Sequence, residues 1–154
     1  MDVSAEAPKQ QVLMRPLYLS ANGPRFNFDG FLVPAGEPRD GAFTGYVQIF
    51  RTGGVEIVDA GILAGTIPSE LGQPRQFIPS RKFEDAVIDG IERFLEFQKR
   101  AEVFPPILIM VSLLGVANFE LAAAQGRFFG PIDRPDLVVP EVVVEDSVPM
   151  LPHC

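Results

Sequence analysis

The sequence contains few of the residues that form common catalytic and metal-binding sites. Its one histidine and one cysteine, His153 and Cys154, are adjacent at the end of a proline-rich segment. A structural zinc site takes four cysteine or histidine ligands, and nucleophilic catalysis takes a nucleophile beside an oriented base. We therefore expect neither chemistry here. A single cysteine also excludes an internal disulfide, in agreement with a cytoplasmic protein.

Basic residues and long apolar runs are also scarce. Lysine and arginine number 13 against 20 acidic residues, for a net charge of -7, which argues against nucleic acid as a partner of this region alone because phosphates are bound by cations. The richest apolar run, Pro105 to Val116, is shorter than the roughly eighteen residues of a membrane span. Since the first ten residues are polar and acidic rather than basic and then apolar, we predict no secretory signal, no membrane partner and a cytoplasmic location.

The chain lacks both common phosphate-binding motifs, the P-loop and a Gly-x-Gly-x-x-Gly after a strand, so no cofactor is predicted. Carboxylates are plentiful, but Asp85, Asp89 and Glu92 have the spacing of a solvated helix face. A metal-dependent hydrolase that uses surface aspartate and glutamate, with magnesium or calcium, remains an alternative. The primary expectation is a protein that is not an enzyme.

The first half of the chain has the pattern of β-hairpins. Four runs rich in β-branched and aromatic residues are separated by the turn signals Ala21 to Pro24 and Thr52 to Gly54 and by the loop Pro34 to Phe43. They are Val12 to Ser20, Arg25 to Val33, Thr44 to Arg51 and Val55 to Leu63. We predict four antiparallel strands, followed by a glycine- and proline-rich crossover over residues 64 to 79.

A long amphipathic helix is predicted directly after Ser80, which is expected to cap it. Large apolar residues recur at three- and four-residue spacing, namely Phe83, Val87, Ile91, Phe94 and Leu95. Asp89 with Arg93 and Glu96 with Arg100 have the order that favours ion pairs along a helix. Gly90 lowers helix propensity, so we expect a bend or a closely packed neighbour there.

The last third predicts two further strands. Ile107 to Leu114 is apolar on both alternating sets of positions, as in a central strand covered on both faces, and the helix is its expected cover. Asn118 to Gln125 is predicted to be a short helix, and Asp136 to Asp146 a strand in which Pro140 requires an edge position or a bulge. The predicted fold is α+β: a mainly antiparallel sheet in one layer on the helix, with residues 11–146 as a single domain between a flexible tail, 1–10, and a proline-rich tail, 147–154.

The stretch RFNFDGFLV, Arg25 to Val33, has two interpretations. Its three phenylalanines could form a stacking platform for nucleobases or the wall of a core. Strand alternation, with a bulge at Gly30, directs Phe26, Phe28 and Phe31 to one face. We therefore predict that Phe28 is buried against the helix.

Five charged residues are candidate ligand-binding residues. Arg25, Asp29 and Arg51 lie on predicted strands, and Asp133 and Arg134 lie in the proline-bracketed loop GPIDRPD. The alternative for the first group is cross-strand ion pairing. For the second group it is a stiff connection into the last strand.

The order of motifs also resembles a known family. The segments NFDGFLV, YVQIFRTGGVEIVDA, IPSRKFEDAVIDGIERFLEFQK, PPILIMVSLLGV and PIDRPDLVVPEVVVED are similar to the region that follows the Schlafen-type AlbA DNA-binding module in bacterial proteins labelled as ATP-binding or helix-turn-helix regulators. The likeness spans residues 27–146. It implies an α+β accessory or sensor domain and supplies no catalytic residues.

Together these patterns predict a non-catalytic accessory, sensor or interaction domain that binds a protein partner or a small ligand. The surface of the four strands with the loop Pro34 to Phe43 is the expected binding face. The last strand, with its apolar run Val142 to Val144, is a candidate edge for self-association. A single-stranded nucleic-acid binder is the remaining alternative.

Overall fold

A computed structural model describes residues 2–10, 13–17, 20–37, 43–63, 66–67, 75–123 and 127–145. Its strands are β1 (Arg25–Phe26), β2 (Gly30–Ala35), β3 (Gly45–Phe50), β4 (Val55–Asp59), β5 (Thr66–Ile67), β6 (Arg75–Pro79), β7 (Ile107–Leu113), β8 (Glu120–Ala122) and β9 (Leu137–Val144). One α-helix, α1 (Ser80–Arg100), and the 3₁₀ helices Val3–Gln10 and Gly61–Leu63 complete the described elements. The predicted α+β class is confirmed.

The first sheet is antiparallel and has the order β1-β2-β3-β4. The prediction of four antiparallel strands is confirmed, but their membership differs. The described residues 13–17 and 20 of the expected first strand lie outside any strand, since Pro16 interrupts that run. Instead, the second predicted run divides into β1 and β2 at a turn, and Pro34, expected in a loop, lies within β2.

The main core lies between this sheet, the second half of α1 and the first 3₁₀ helix. Its buried residues are Val3, Ala7, Met14, Phe31, Val33, Val47, Ile49, Phe94, Phe97 and Ala101. The sequence predicts a loose tail over residues 1–10, whereas Val3–Gln10 is helical with three buried residues. Small side chains let this helix lie close to the sheet, and the Val3 amide donates to the Arg51 carbonyl at 3.1 Å.

The helix α1 follows its predicted periodicity, with both expected ion pairs: Arg93 to Asp89 at 2.9 Å and Arg100 to Glu96 at 2.6 Å. Gly90 is buried, and an added Cβ there would lie 2.3 Å from Leu17 Cδ2, so the expected close neighbour is present. The predicted cap is wrong. Ser80 is the first helical residue, and its hydroxyl donates to the Ala122 carbonyl at 2.9 Å instead.

A second, smaller core forms around Ile78, Val116 and Phe119, with Phe83 of α1 packed against it. Strand β6, from the end of the predicted crossover, pairs with β5 and runs parallel to β8. The predicted helix from Asn118 is wrong within its described part, because Glu120–Ala122 is strand β8. Asn118 has a φ of +66°, which a right-handed helix does not accommodate.

Strands β7 and β9 form a separate antiparallel ribbon. Ile109 faces Val142 and Val111 faces Val139, so Met110 faces both Pro140 and Glu141. The bulge predicted at Pro140 is confirmed. The prediction that β7 is covered on both faces is wrong, because Leu108 and Met110 are exposed.

Within the described part of the chain, no helix is both long and apolar enough to cross a membrane.

Candidate interaction surfaces

Phe28 lies at the tip of the turn between β1 and β2, which we call the Phe28 turn (residues 27–30). Its side chain is 95% exposed, and Phe26 is 55% exposed, whereas Phe31 is 4% exposed. The prediction that Phe28 packs against the helix is therefore wrong. Only Phe31 joins the core, with the Phe26 ring edge-on at 5.1 Å between centroids. The Asp29-Gly30 dipeptide, a common turn signal, is the feature from which the turn could have been recognised.

The Phe28 turn is fixed by polar contacts on its inner side. The Asn27 amide donates to the Gly30 carbonyl at 2.9 Å, and the Gly30 amide donates to Asn27 Oδ1 at 2.8 Å. Asn27 Nδ2 donates to Oε1 of the buried Gln48 at 2.7 Å. Gln48 in turn donates from Nε2 to the Ile49 carbonyl at 3.2 Å. Each hydrogen bond contributes about 1 kcal/mol, and together they select one conformation of the turn.

Gly30 ends the turn where a side chain has no room. Its φ is +151°, and an added Cβ would lie 2.1 Å from the Ile49 carbonyl oxygen. Only glycine adopts this backbone conformation without strain. The close approach of β2 to β3 thus fixes where the turn begins and ends.

Arg51 holds the Phe28 turn from the neighbouring hairpin. Its Nε donates to the Phe28 carbonyl at 3.2 Å and its Nη2 to the Asn27 carbonyl at 3.4 Å. Its Nη1 pairs with the Asp2 carboxylate. The guanidinium is therefore engaged by the protein itself, and this candidate ligand-binding residue positions the turn.

The Asp2 carboxylate extends this network to the N-terminal 3₁₀ helix. It accepts hydrogen bonds from the Ser4 hydroxyl at 2.6 Å and from the Ser4 amide at 3.1 Å. The bond from the Ser4 hydroxyl, followed by the charge of Arg51, lowers the pKa of Asp2 below its ordinary value. Asp2 is thus an anion that joins the first residues to the Phe28 turn.

Two other candidate residues lie close to Phe28 in the sequence. Arg25 and Asp29 are both exposed, and Arg25 Nη1 donates only a long bond, 3.5 Å, to the Gly23 carbonyl. The Asp29 carbonyl accepts from the Arg51 amide at 3.1 Å. Of these three candidates, Arg51 holds the Phe28 turn through its side chain, whereas Asp29 belongs to the turn and Arg25 precedes it in β1.

Asp133 and Arg134 lie elsewhere, in the connection from β8 to β9. They pair with each other at 3.1 Å, and the hydrogen bond from Arg134 lowers the pKa of Asp133. The connection is fixed by the Val116 amide, which donates to the Pro135 carbonyl at 2.7 Å. No contact among the described residues joins this pair to the Phe28 turn, so the five candidates form two separate groups.

The β7/β9 ribbon presents a second exposed apolar surface, which we call the ribbon patch. Its members are Leu108 (55% exposed), Met110 (72%), Val138 (72%) and Val143 (52%), which share one face of the ribbon, whereas Val139 (44%) and Val142 (57%) are exposed on the opposite face. Patches of this kind mark interaction sites on soluble proteins. The sequence predicts only the β9 part of it. A run that is apolar on both alternating sets occurs both in buried central strands and in exposed two-stranded ribbons. The sequence of β7 therefore does not distinguish between them.

In the described part of the chain, no three His, Cys, Asp or Glu side chains are grouped so as to hold a metal ion. Both surfaces are apolar: an exposed aromatic ring on a fixed turn, and an exposed ribbon.

Comparison with known proteins gives no match to this chain, whether to family models, to curated proteins or to solved structures.

Proposed function

We propose that this protein is a non-catalytic interaction domain that binds a protein partner through the Phe28 turn. The observation that carries the proposal is the contrast between the 95% exposure of Phe28 and the hydrogen bonds that fix its backbone. Interface cores are enriched in aromatic residues, Phe among them, and affinity rises when the backbone that carries such a residue is ordered before binding. The Phe28 turn meets both conditions.

Transfer of the Phe28 ring from water into an apolar pocket of a partner would stabilise the complex by about 2 kcal/mol. Because the turn is already ordered, little conformational entropy is lost on binding. Arg25 and Asp29, of opposite charge, are both exposed and lie within three residues of Phe28 in the sequence, and charged residues of this kind suit the polar rim around an apolar anchor.

The likeness to the region after the Schlafen-type AlbA module agrees with an accessory or sensor role in a bacterial regulatory protein. On that basis the proposed partner is a neighbouring module or another cytoplasmic regulatory protein. A partner of this class needs no catalytic group in the domain.

Single-stranded nucleic acid is the second candidate. Phe26 and Phe28 are both exposed, and the exposed Arg25 directly precedes Phe26 in the sequence. Base stacking on an aromatic ring contributes about 1–3 kcal/mol per base. The net charge of -7 and the engagement of Arg51 favour the protein partner. Fluorescence anisotropy with labelled oligonucleotides at low salt separates the two, since salt-dependent binding that Phe28→Ala abolishes would support the nucleic-acid candidate.

The protein partner is tested by site-specific photo-crosslinking. A benzophenone amino acid is placed at position 28 and, as a control, at Ile88, an exposed residue of α1 (58%). We expect one discrete cross-linked protein from position 28 in source cells and none from position 88. That protein, purified, is then titrated against the unmodified domain and Phe28→Ala, with an expected loss of at least about tenfold in affinity. Equal cross-linking at both positions, or equal affinity, would contradict the proposal.

A further inference from the structure

The β7/β9 ribbon is attached to the rest of the protein mainly at one end. Leu113 and Leu137, which face each other, pack against the second core. Neither strand packs extensively against any other described element. A two-stranded ribbon is marginally stable in water on its own, and three or more strands are needed for independent stability.

The two edges of the ribbon differ. On β9, Pro140 lacks an amide proton, Glu141 carries a charge, and the bulge distorts the strand. These are the features by which proteins protect an edge from pairing. Strand β7 has none of them: its seven residues, ILIMVSL, include no charge, proline or glycine. Among the described residues, no further strand lies beside it.

We propose that β7 pairs antiparallel with β7 of a second copy, giving a four-stranded sheet of order β9-β7-β7-β9. This inference is independent of the proposed partner of the Phe28 turn. The two-fold axis passes at Met110, so that each Leu108 faces Ser112 of the other copy. Such an interface is isologous, as in most homodimers.

Charge favours this arrangement over pairing through β9. The two Glu141 side chains lie on the outer strands, three strand spacings or about 14 Å apart, beyond the Debye length of about 8 Å at physiological salt. Pairing of β9 with β9 would bring them to adjacent positions near the axis. The chain has a net charge of -7, so two copies repel each other least where the paired strands carry no charge. The edge of β7 meets this condition.

Area sets the expected affinity. Each copy contributes the free edge of one seven-residue strand, which makes the interface small and places it at the lower limit of specific interfaces. Main-chain hydrogen bonds supply the affinity in strand addition of this kind. We therefore expect a dimer that dissociates in the micromolar range.

Analytical ultracentrifugation of the full chain tests the proposal. Met110→Lys places two like charges at the axis and is expected to raise the dimer dissociation constant at least tenfold. The matched control is Val138→Lys, which has the same 72% exposure but lies on the outer strand, and which should change the constant less than twofold. A wild type that stays monomeric at millimolar concentration, or equal effects of both variants, would overturn the pairing.

Disulfide trapping gives a second readout that does not depend on affinity. In a Cys154→Ser background, Met110→Cys is expected to form a cross-linked dimer under mild oxidation, since paired residues have Cα atoms about 5 Å apart. Val138→Cys is expected to stay monomeric, and the reverse result would overturn the proposal. Phe28→Ala should leave the dimer unchanged, so failure of the dimer and failure of the Phe28 site are distinguishable.

Discussion

Arg51 Nε donates a hydrogen bond to the carbonyl of Phe28 at 3.2 Å. The two residues belong to different hairpins, so the end of one hairpin fixes the turn of the other. The Asp2 carboxylate accepts from the same guanidinium and connects the turn to the N-terminal 3₁₀ helix. The position of the exposed ring therefore depends on three separate segments of the chain.

Phe28 and Phe31 are expected to respond in opposite ways to truncation. Phe28→Ala should change the free energy of unfolding by less than about 0.5 kcal/mol, because the ring touches little of the protein. Phe31→Ala, which empties a site in the main core, should cost about 3 to 5 kcal/mol. Denaturant unfolding of both variants measures the difference. A large loss for Phe28→Ala would mean that the ring is buried in solution.

Gly30→Ala is expected to destabilise the protein by about 3 kcal/mol, because its Cβ meets the Ile49 carbonyl and its φ is strained. Gly23→Ala is the control: this glycine also has a positive φ, +51°, but nothing lies within 4 Å of an added Cβ. It should cost only about 1 kcal/mol. Thermal denaturation compares the two, and equal losses would show that the contact with β3 is unimportant.

Arg93 is expected to be far more important for stability than its helical counterpart Arg100. Its side chain is only 10% exposed, and besides Asp89 it donates to the Arg15 carbonyl at 2.6 Å. Arg93→Ala should cost about 2 kcal/mol, because the carbonyls of Leu13 and Arg15 lose a charged donor. Arg100→Ala, in an exposed pair, should cost less than about 0.5 kcal/mol. Chemical denaturation of the two variants checks this, and similar values would argue against the tie to residues 13–17.

The ion pair of Asp2 predicts a dependence of stability on pH. The pKa of Asp2 is lower in the folded protein than its ordinary value of 3.8, so the unfolded chain takes up the proton more readily. The stabilisation is then complete above pH 3.8 and is lost as the pH falls through the lower folded pKa. The difference in unfolding free energy between wild type and Asp2→Asn should shrink as the pH is lowered below 3.8. A constant difference would show that the carboxylate charge is not involved.

The sequence predicts α1 well because its signal is local. Apolar spacing and acid-before-base pairs both depend on residues within one turn of each other, and Ser80–Arg100 is helical as expected. The role of Arg93 could not be predicted in this way. Its carbonyl partners, Leu13 and Arg15, are about eighty residues away in sequence and become neighbours only through the fold.

The sequence prediction missed the Phe28 turn for a different reason. Alternation of side chains holds only while a strand is continuous, and the run from Arg25 to Val33 is interrupted by a turn. Because Asn27 to Asp29 lie outside both strands, alternation no longer determines the direction of Phe28. Likewise, the sequence of β7 shows that its side chains are apolar but does not show which segment, if any, covers them.

The helix α1 contributes Phe94 and Phe97 to the main core and packs Phe83 against the second. Among the described elements, it is the one that takes part in both. The packing of α1 therefore stabilises both cores. Each core would lose part of its stability if the chain were divided within this helix. Native-state hydrogen exchange should accordingly show α1 amides opening only when both cores open, as a common cooperative unit.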